Sequence, residues 1–227
     1  MSDTPTVGTD LPVMGARIIE GPAERERIRT VVVAQPDHIA VLVAERICDT
    51  IRETVEARGR CVLGLATGST PLGIYRELIR RHLAGEVDFS RVTTFNLDEY
   101  YPMHPEATQS YWYFMNEHLF DHVNIPTNNI HIPKGDIVME EVQEYCEWYE
   151  KQIDLAGGID IQLLGIGRTG HIGFNEPGSW ESSLTRMVRL DGLTRRDAIK
   201  DFLTEEDVPT RAITMGIASI MKASTIY

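Results

Sequence analysis

The stretch CVLGLATGSTPLGIYREL, residues 61–78, decides the fold. Residues 61–66 form a short apolar run of the kind that makes a buried strand. Thr70 is a good helix cap, and Pro71 suits the first position of a helix. Leu72 and Tyr75 then begin a stripe along one side of that helix. The stretch therefore predicts a strand, a tight turn and a helix, which is the building unit of an α/β sheet.

The same alternation continues along the chain in both directions. Because strands that alternate with helices pair in parallel, the pattern predicts an α/β fold, modified Rossmann-like, with a mainly parallel sheet and helices on both faces. Further strands are predicted at residues 30–34, 91–98, 159–167 and from 211. Further helices are predicted from the stripe Ile39, Val43, Ile47, Ile51, Val55, from the run SYWYFMNEHLF, and from Val142, Tyr145, Tyr149, Ile153.

The chain contains no repeat and no linker, so we interpret residues 30–227 as one domain and residues 1–29 as an N-terminal extension. Its last residues, AITMGIASIMKASTIY, stop at the opening of what resembles another strand. A sheet that ended there would leave an apolar face uncovered. We therefore expect the domain to be incomplete at its C-terminus and to be part of a longer product.

The turn after the first quoted strand has the residues of a phosphate-binding loop. Thr67, Gly68, Ser69 and Thr70 combine hydroxyl groups, a glycine and the free N–H groups of a helix start. The Gly-Lys-Ser/Thr of a nucleotide P-loop is missing, which disfavours ATP or GTP hydrolysis. An ordinary capped turn is the alternative interpretation.

A second polar cluster, FNLDEYY, contains Asp98 and Glu99 at the end of a predicted strand. Adjacent residues of an extended segment point to opposite sides, so these carboxylates are not expected to work as a facing pair. One of them could be a general base that removes a proton next to a carbonyl. A solvated acidic turn is the alternative.

The third cluster lies in LLGIGRTGHIGFNEPGS, residues 163–179, which contains a G-x-G-x-x-G pattern. A dinucleotide site needs a helix after the third glycine, and Gly173 and Pro177 disfavour one here. The glycines instead allow a tight loop that presents His171. This histidine can both give and take protons, and Glu176 is placed to orient it. Three loops that follow strands of one sheet are expected to converge on one pocket.

Composition excludes several other classes of function. A net charge of −12 argues against nucleic acid and anionic lipid as partners. Cys48, Cys61 and Cys146 match neither a disulfide framework nor a metal motif, and no His or Cys stands at zinc-ligand spacing near His171. We expect three buried, reduced thiols in a cytoplasmic protein. The first residues lack the basic-then-apolar order of a signal peptide, and no segment is apolar over the ~20 residues that span a bilayer, so we expect neither feature.

Taken together, four motifs resemble the glucosamine-6-phosphate deaminase/isomerase family. They are LGLATGSTPLGIYREL, VTTFNLDEYY, SYWYFMNEHLFDHVNIP and GHIGFNEP, in the family's order and at its spacing. The resemblance runs from about residue 34 to the end of the chain. It implies a Rossmann-like fold and the conversion of glucosamine 6-phosphate into fructose 6-phosphate and ammonia, a step of amino-sugar catabolism. No cofactor and no metal are implied.

The resemblance also implies roles for individual residues. His171 would open the sugar ring, Asp98 would move a proton between C2 and C1, and Glu176 would pair with His171. The phosphate would be bound by Thr67, Gly68, Ser69, Thr70 and Lys200. Ser179 and Arg186 match positions of an allosteric site that binds N-acetylglucosamine 6-phosphate.

Three positions depart from the family pattern. Thr169 stands where the better-studied members carry an aspartate, so the Asp-His-Glu relay lacks its first carboxylate. Lys200 replaces a lid arginine and loses its two-pronged contact with phosphate. Val188 replaces a lysine of the allosteric site, which disfavours activation. Relatives with the same GRTG variant resemble fusions that carry a C-terminal deacetylase-like domain.

Two other functions remain open at this point. One is a 6-phosphogluconolactonase-like hydrolase, which would share the fold and the phosphate loop; the complete FNLDEYY and GHIGFNEP motifs favour the deaminase. The other is a non-catalytic sugar-phosphate sensor, which Thr169 would suit. The resemblance includes both monomers and rings, so a homo-oligomer is also expected as an option.

Overall fold

The computed structural model describes residues 17–19 and 30–227. Most of the predicted N-terminal extension therefore lies outside the described residues. Strand β1 (Arg17–Ile19) pairs antiparallel with β2 (Thr30–Val32). The predicted strand at residues 30–34 is thus shorter than its apolar run.

The centre of the molecule is a parallel five-stranded sheet with the order β10–β7–β3–β4–β6. Its middle strand, β3, lies in the apolar run of residues 61–66, and all five of its residues are buried. This confirms the predicted mainly parallel sheet. The strands are β3 (Cys61–Leu65), β4 (Val92–Asn96), β6 (Ile130–His131), β7 (Ile161–Gln162) and β10 (Thr225–Ile226).

Helices cover both faces of this sheet, as predicted. One core lies between the sheet and three helices, and includes Ile47, Tyr75 and Met115. A second core lies on the other face and includes Phe95 and Tyr149. The first three helices are α1 (Pro36–Arg58), α2 (Leu72–Leu83) and α3 (Tyr111–His118); the helices on the second face are α4 (Val142–Ala156) and α6 (Ile217–Met221).

A second, antiparallel sheet was not predicted. Its order is β5–β9–β8, with β5 (Asp98–Tyr101), β8 (Arg186–Arg189) and β9 (Arg211–Thr214). The prediction of one strand over residues 91–98 was wrong, because the chain changes sheet at Leu97. The Leu97 N–H donates to the Leu65 carbonyl (3.1 Å), and its carbonyl accepts from Met215 N–H (2.7 Å).

The predicted strand at residues 159–167 was also too long. Only Ile161 and Gln162 are in β7, and the chain then opens into the glycine-rich loop. Helix α5 (Gly192–Ala198) was not predicted at all. The side chain of Asp191 caps it by accepting from the Leu193 N–H (2.7 Å). Among the described residues, no helix is both long and apolar enough to cross a membrane.

Candidate active site

A cavity of about 300 Å³ lies at the carboxyl ends of the central strands. All three loops that the sequence singled out line it, which confirms the predicted convergence. They contribute the turn after β3, the start of β5 and the loop after β7. The predicted residues on its wall are Thr67, Gly68, Ser69, Thr70, Asp98, His171 and Lys200.

The turn after β3 faces the cavity with free hydroxyl groups. Helix α2 begins at Leu72, and no side chain caps it. Ser69 and Thr70 are exposed, so the alternative of an ordinary capped turn does not hold. Gly68 has a φ of +96°, a conformation that residues other than glycine rarely adopt. The turn thus combines free hydroxyls, backbone N–H groups and a helix start, which suits an anion.

Asp98 is the first residue of β5 and is almost completely buried. It lies against the third loop, because a Cβ atom on Gly173 would come 3.1 Å from Asp98 Oδ2. Burial raises its pKa from 3.8 to about 7. A carboxyl group with such a pKa can take up and release a proton near neutral pH.

Glu99 points away from the cavity, as expected for the neighbour of Asp98 in a strand. Its carboxylate accepts hydrogen bonds from the N–H groups of Tyr100 (2.8 Å), Tyr111 (2.8 Å) and Trp112 (3.2 Å). Two of these donors form the start of α3. Glu99 therefore has a structural role, and the predicted alternative of a solvated acidic turn is wrong for both carboxylates.

No helix follows the glycines of the loop after β7; residues 168–179 form turns and one isolated bridge. The Gly167 N–H donates to the His171 carbonyl (2.8 Å) and closes the loop. The same glycine makes room for the histidine, since a Cβ atom there would lie 2.0 Å from His171 Nε2. The second glycine of the pattern thus serves the imidazole ring, and the geometry of a dinucleotide site is missing.

Glu176 and His171 are joined through a third residue. His171 Nδ1 lies 3.5 Å from Glu176 Oε2. Thr169 Oγ1 lies between them, 2.8 Å from Nδ1 and 2.7 Å from Oε2. The hydroxyl of Thr194, on α5, donates to the other carboxylate oxygen, Oε1. The predicted pairing of His171 with Glu176 is therefore present in geometry, with a hydroxyl group in the gap.

Sequence reasoning missed the contribution of α5. Besides Thr194, this helix contributes Asp197, which lines the cavity and forms a salt bridge with Arg168 (3.0 Å). Lys200 follows directly on a short 3-10 turn and is exposed at the cavity wall. The sequence signal for this helix was its capping residue, Asp191. Because Gly192 follows it, the pair has the pattern of a turn.

Ser179 and Arg186 are brought together outside this cavity. Arg186 Nη2 lies 3.4 Å from Ser179 Oγ, and Nη1 donates to Asn175 Oδ1 (2.9 Å). Burial lowers the pKa of Arg186. Val188 is half-buried and packs against an apolar cluster that contains Tyr100.

A larger cavity of about 490 Å³ lies on the other side of Glu99. Aromatic side chains, among them Trp112, Tyr145 and Trp148, form much of its wall. Of the candidate residues, this cavity contains Glu99 alone, whose carboxylate is bound to the start of α3, so we place the candidate active site in the smaller cavity. Among the described residues, no group of three His, Cys, Asp or Glu side chains could hold a metal ion. All three cysteines are buried and unpaired.

The family of the chain follows from comparison with known proteins. Residues 34–227 match the model of the family described as glucosamine-6-phosphate isomerases/6-phosphogluconolactonase. The chain belongs to this family.

Curated relatives support the deaminase branch of the family. A glucosamine-6-phosphate deaminase of Thermoanaerobacter sp. (strain X514) is 47% identical over 184 residues, which cover 81% of this chain and 72% of that protein. Glucosamine-6-phosphate deaminase 2 of Bacillus subtilis (strain 168) is 51% identical over 175 residues, covering 77% and 70%.

Solved structures agree with the fold. A monomeric glucosamine-6-phosphate deaminase superposes with a TM-score of 0.80 at 40% identity, covering 85% of this chain and 77% of that one. A 6-phosphogluconolactonase of Thermotoga maritima superposes with a TM-score of 0.62 at 22% identity, covering 82% and 77%. At that identity the second likeness shows the fold alone.

Proposed function

We propose that this protein converts glucosamine 6-phosphate and water into fructose 6-phosphate and ammonia. The observation that carries the proposal is the convergence, in one cavity, of a phosphate-binding turn, a buried carboxyl group and a histidine. These are the groups that an aldose–ketose shift on a phosphorylated sugar requires. The names of the relatives at 47–51% identity support the same substrate.

The turn from Thr67 to Thr70 would bind the phosphate of the substrate. Its hydroxyl and N–H groups would donate to the anion, and Lys200, which lines the same cavity, would supply a positive charge. The phosphate would thereby fix the position of the sugar relative to the two catalytic groups.

His171 would open the sugar ring. In this step a base removes the proton of the O1 hydroxyl, the bond between C1 and O5 breaks, and O5 receives a proton. A histidine can perform both transfers, and Glu176 Oε2 lies 3.5 Å from its Nδ1.

Asp98 would catalyse the isomerisation of the open chain. Its carboxylate removes the proton from C2, and the same proton is then delivered to C1. The amine at C2 becomes an imine, which water hydrolyses to the ketone of fructose 6-phosphate and ammonia. A pKa of about 7 suits a group that both accepts and returns this proton. The proposal requires no cofactor and no metal, because each step is a proton transfer or a hydrolysis.

The regulatory part of the proposal concerns Ser179 and Arg186. Their contact supports a site for the phosphate of an effector outside the cavity. Val188 adds no charge there, so we propose that N-acetylglucosamine 6-phosphate activates weakly or does not activate. Titration of this compound in the activity assay, with Arg186→Ala as comparison, tests this.

The proposed setting is the cytoplasm, where phosphorylated amino sugars and reduced thiols are found. A small-molecule sugar phosphate is the proposed partner, without nucleic acid or membrane. Homo-oligomer formation is proposed as an option, although the superposed deaminase is described as monomeric. Cell fractionation and light scattering test these two points.

The assay of ammonia and fructose 6-phosphate release from glucosamine 6-phosphate tests the main proposal. Asp98→Asn and His171→Gln should both abolish turnover. Parallel incubation with 6-phosphogluconolactone tests the second candidate, which rests on the family description. Saturable binding without turnover of either compound would support the sensor.

A further inference from the structure

Thr169 occupies a position from which one hydroxyl group serves two partners. Its Oγ1 lies 2.8 Å from His171 Nδ1 and 2.7 Å from Glu176 Oε2. Both distances are those of good hydrogen bonds. The direct distance from Nδ1 to Oε2 is 3.5 Å, which is too long for a strong bond. The hydroxyl is therefore the connection between the histidine and the carboxylate.

The chemistry of the three groups sets the direction of these bonds. A carboxylate only accepts hydrogen bonds, so the single hydroxyl proton of Thr169 must be donated to Glu176. The lone pairs of Oγ1 then accept a hydrogen bond from His171, which requires that Nδ1 carries a hydrogen. In a neutral imidazole with hydrogen on Nδ1, Nε2 has none and can accept a proton.

We propose that Thr169 is a positioning residue that holds His171 in the tautomer with hydrogen on Nδ1 and leaves Nε2 to exchange protons with the substrate. The assignment of His171 to the reaction rests on the proposed function. The tautomer does not, since it follows from contacts within the protein alone. Glu176 supplies the negative charge. Thr169 links it to the ring through two hydrogen bonds and adds no second negative charge.

Two further contacts make this arrangement rigid. Thr194 on α5 donates to Glu176 Oε1, so both oxygens of the carboxylate are held by hydroxyl groups. On the opposite side, the ring lies against the backbone of Gly167, where no side-chain carbon would fit. The imidazole is thus held at Nδ1 and against one face. A purely structural threonine would stabilise the loop without affecting the tautomer, and this difference can be measured.

The first test is nitrogen-15 NMR of histidine side chains in the ligand-free protein. The sequence contains seven histidines, and loss of one signal in His171→Gln assigns the relevant ring. We expect the Nδ1–H pattern for His171. The opposite Nε2–H pattern in the unmodified protein would overturn the proposal. This measurement requires neither a Thr169 variant nor catalytic turnover.

The second test compares Thr169→Val with Thr169→Ser. Valine keeps the shape and removes the hydroxyl, so the Nδ1–H pattern should be lost and kcat should fall by about 10- to 100-fold with little change in KM. Serine retains a hydroxyl and should restore the tautomer and most of the rate. Thr54→Val is the matched control, because Thr54 lies on α1, away from the cavity, and its hydroxyl donates to the Thr50 carbonyl of the same helix.

The outcomes separate the proposal from the proposed function. An unchanged tautomer and kcat in a folded Thr169→Val protein would refute the role of Thr169. If that variant fails to fold, the NMR pattern of His171 in the unmodified protein and in Thr169→Ser still tests the role of Thr169. An Nδ1–H tautomer without any deamination would support the positioning role and refute the function.

Discussion

Gly167 lies directly against the imidazole ring of His171. A Cβ atom built on this glycine would come within 2.0 Å of Nε2 and 2.2 Å of Cε1. No real side chain tolerates such distances, so the position of the ring depends on the absence of a side chain at residue 167. This relationship explains why a pattern resembling a nucleotide fingerprint surrounds the histidine that is proposed to be catalytic.

Gly167→Ala is therefore expected to displace the ring. A shift of about 1 Å in a catalytic group lowers the rate by about 100-fold, so kcat should fall by that order while substrate still binds. The measurement is steady-state kinetics together with a crystal structure of the variant. Gly165→Ala is the matched control, since nothing lies within 4 Å of a Cβ atom there. Equal kinetics in both variants would show that the close contact has no consequence.

Asp98→Asn is expected to abolish activity and to stabilise the protein. The pKa of Asp98 is raised by burial from 3.8 to about 7, so the folded state binds its proton more tightly than the unfolded state does. The contribution of protonated Asp98 to the free energy of unfolding is fully present below pH 4. It is lost as the pH rises to about 7, because the buried carboxyl group resists ionisation and the unfolded one does not. The full loss is on the order of 4 kcal/mol.

Asparagine does not ionise, so the stability advantage of Asp98→Asn should grow by about 3 kcal/mol between pH 5 and pH 8. Urea unfolding at several pH values measures it. The exposed Asp154→Asn on α4 should show no such trend. A constant difference across this pH range for Asp98→Asn would mean that the buried carboxyl group has an ordinary pKa.

Much of the parallel sheet could be predicted from the sequence, because buried strands such as residues 61–65 are continuous apolar runs. The antiparallel sheet could not. Its strand β8 has the sequence RMVR, whose charged ends are unlike those of a buried strand, and its strand β5 pairs with β9, which lies far away in the sequence. Long-range pairing of this kind leaves little trace in local pattern.

The candidate site, like the fold, could be predicted only in part from the sequence. Asp98 and His171 follow predicted strands, and the ends of parallel strands meet at one edge. The hydroxyl groups around Glu176 were not predictable, since Thr194 reaches it from α5. That helix begins with Asp191 and Gly192, a pair that is typical of turns. Side-chain contacts between distant segments require the tertiary structure.

Glu99→Ala is expected to affect stability first. Its carboxylate accepts from three backbone N–H groups, those of Tyr100, Tyr111 and Trp112. Removal of the carboxylate leaves these buried N–H groups without an acceptor. The free energy of unfolding should therefore fall by about 3 kcal/mol. Urea unfolding measures this. Glu53→Ala, on the exposed side of α1, should change stability by less than about 0.5 kcal/mol. Equal stabilities would contradict the capping role.

Lys200 is expected to act on substrate affinity and not on the chemical step. It is exposed and lines the same cavity as the turn from Thr67 to Thr70. Lys200→Met removes a charge that would meet the phosphate and should raise KM about tenfold, which corresponds to about 1.4 kcal/mol, with kcat within a few-fold. Lys200→Arg should lower KM, because a guanidinium can bind two phosphate oxygens at once.

The measurement for Lys200 is the dependence of rate on substrate concentration, with inorganic phosphate as a competing ligand. Phosphate should inhibit Lys200→Met more weakly than the unmodified protein, since the same charge attracts it. Lys222→Met, an exposed lysine just after α6, provides the control for general loss of positive charge on an acidic protein. A fall in kcat at unchanged KM would place Lys200 in the chemical step and would contradict its assignment to the phosphate.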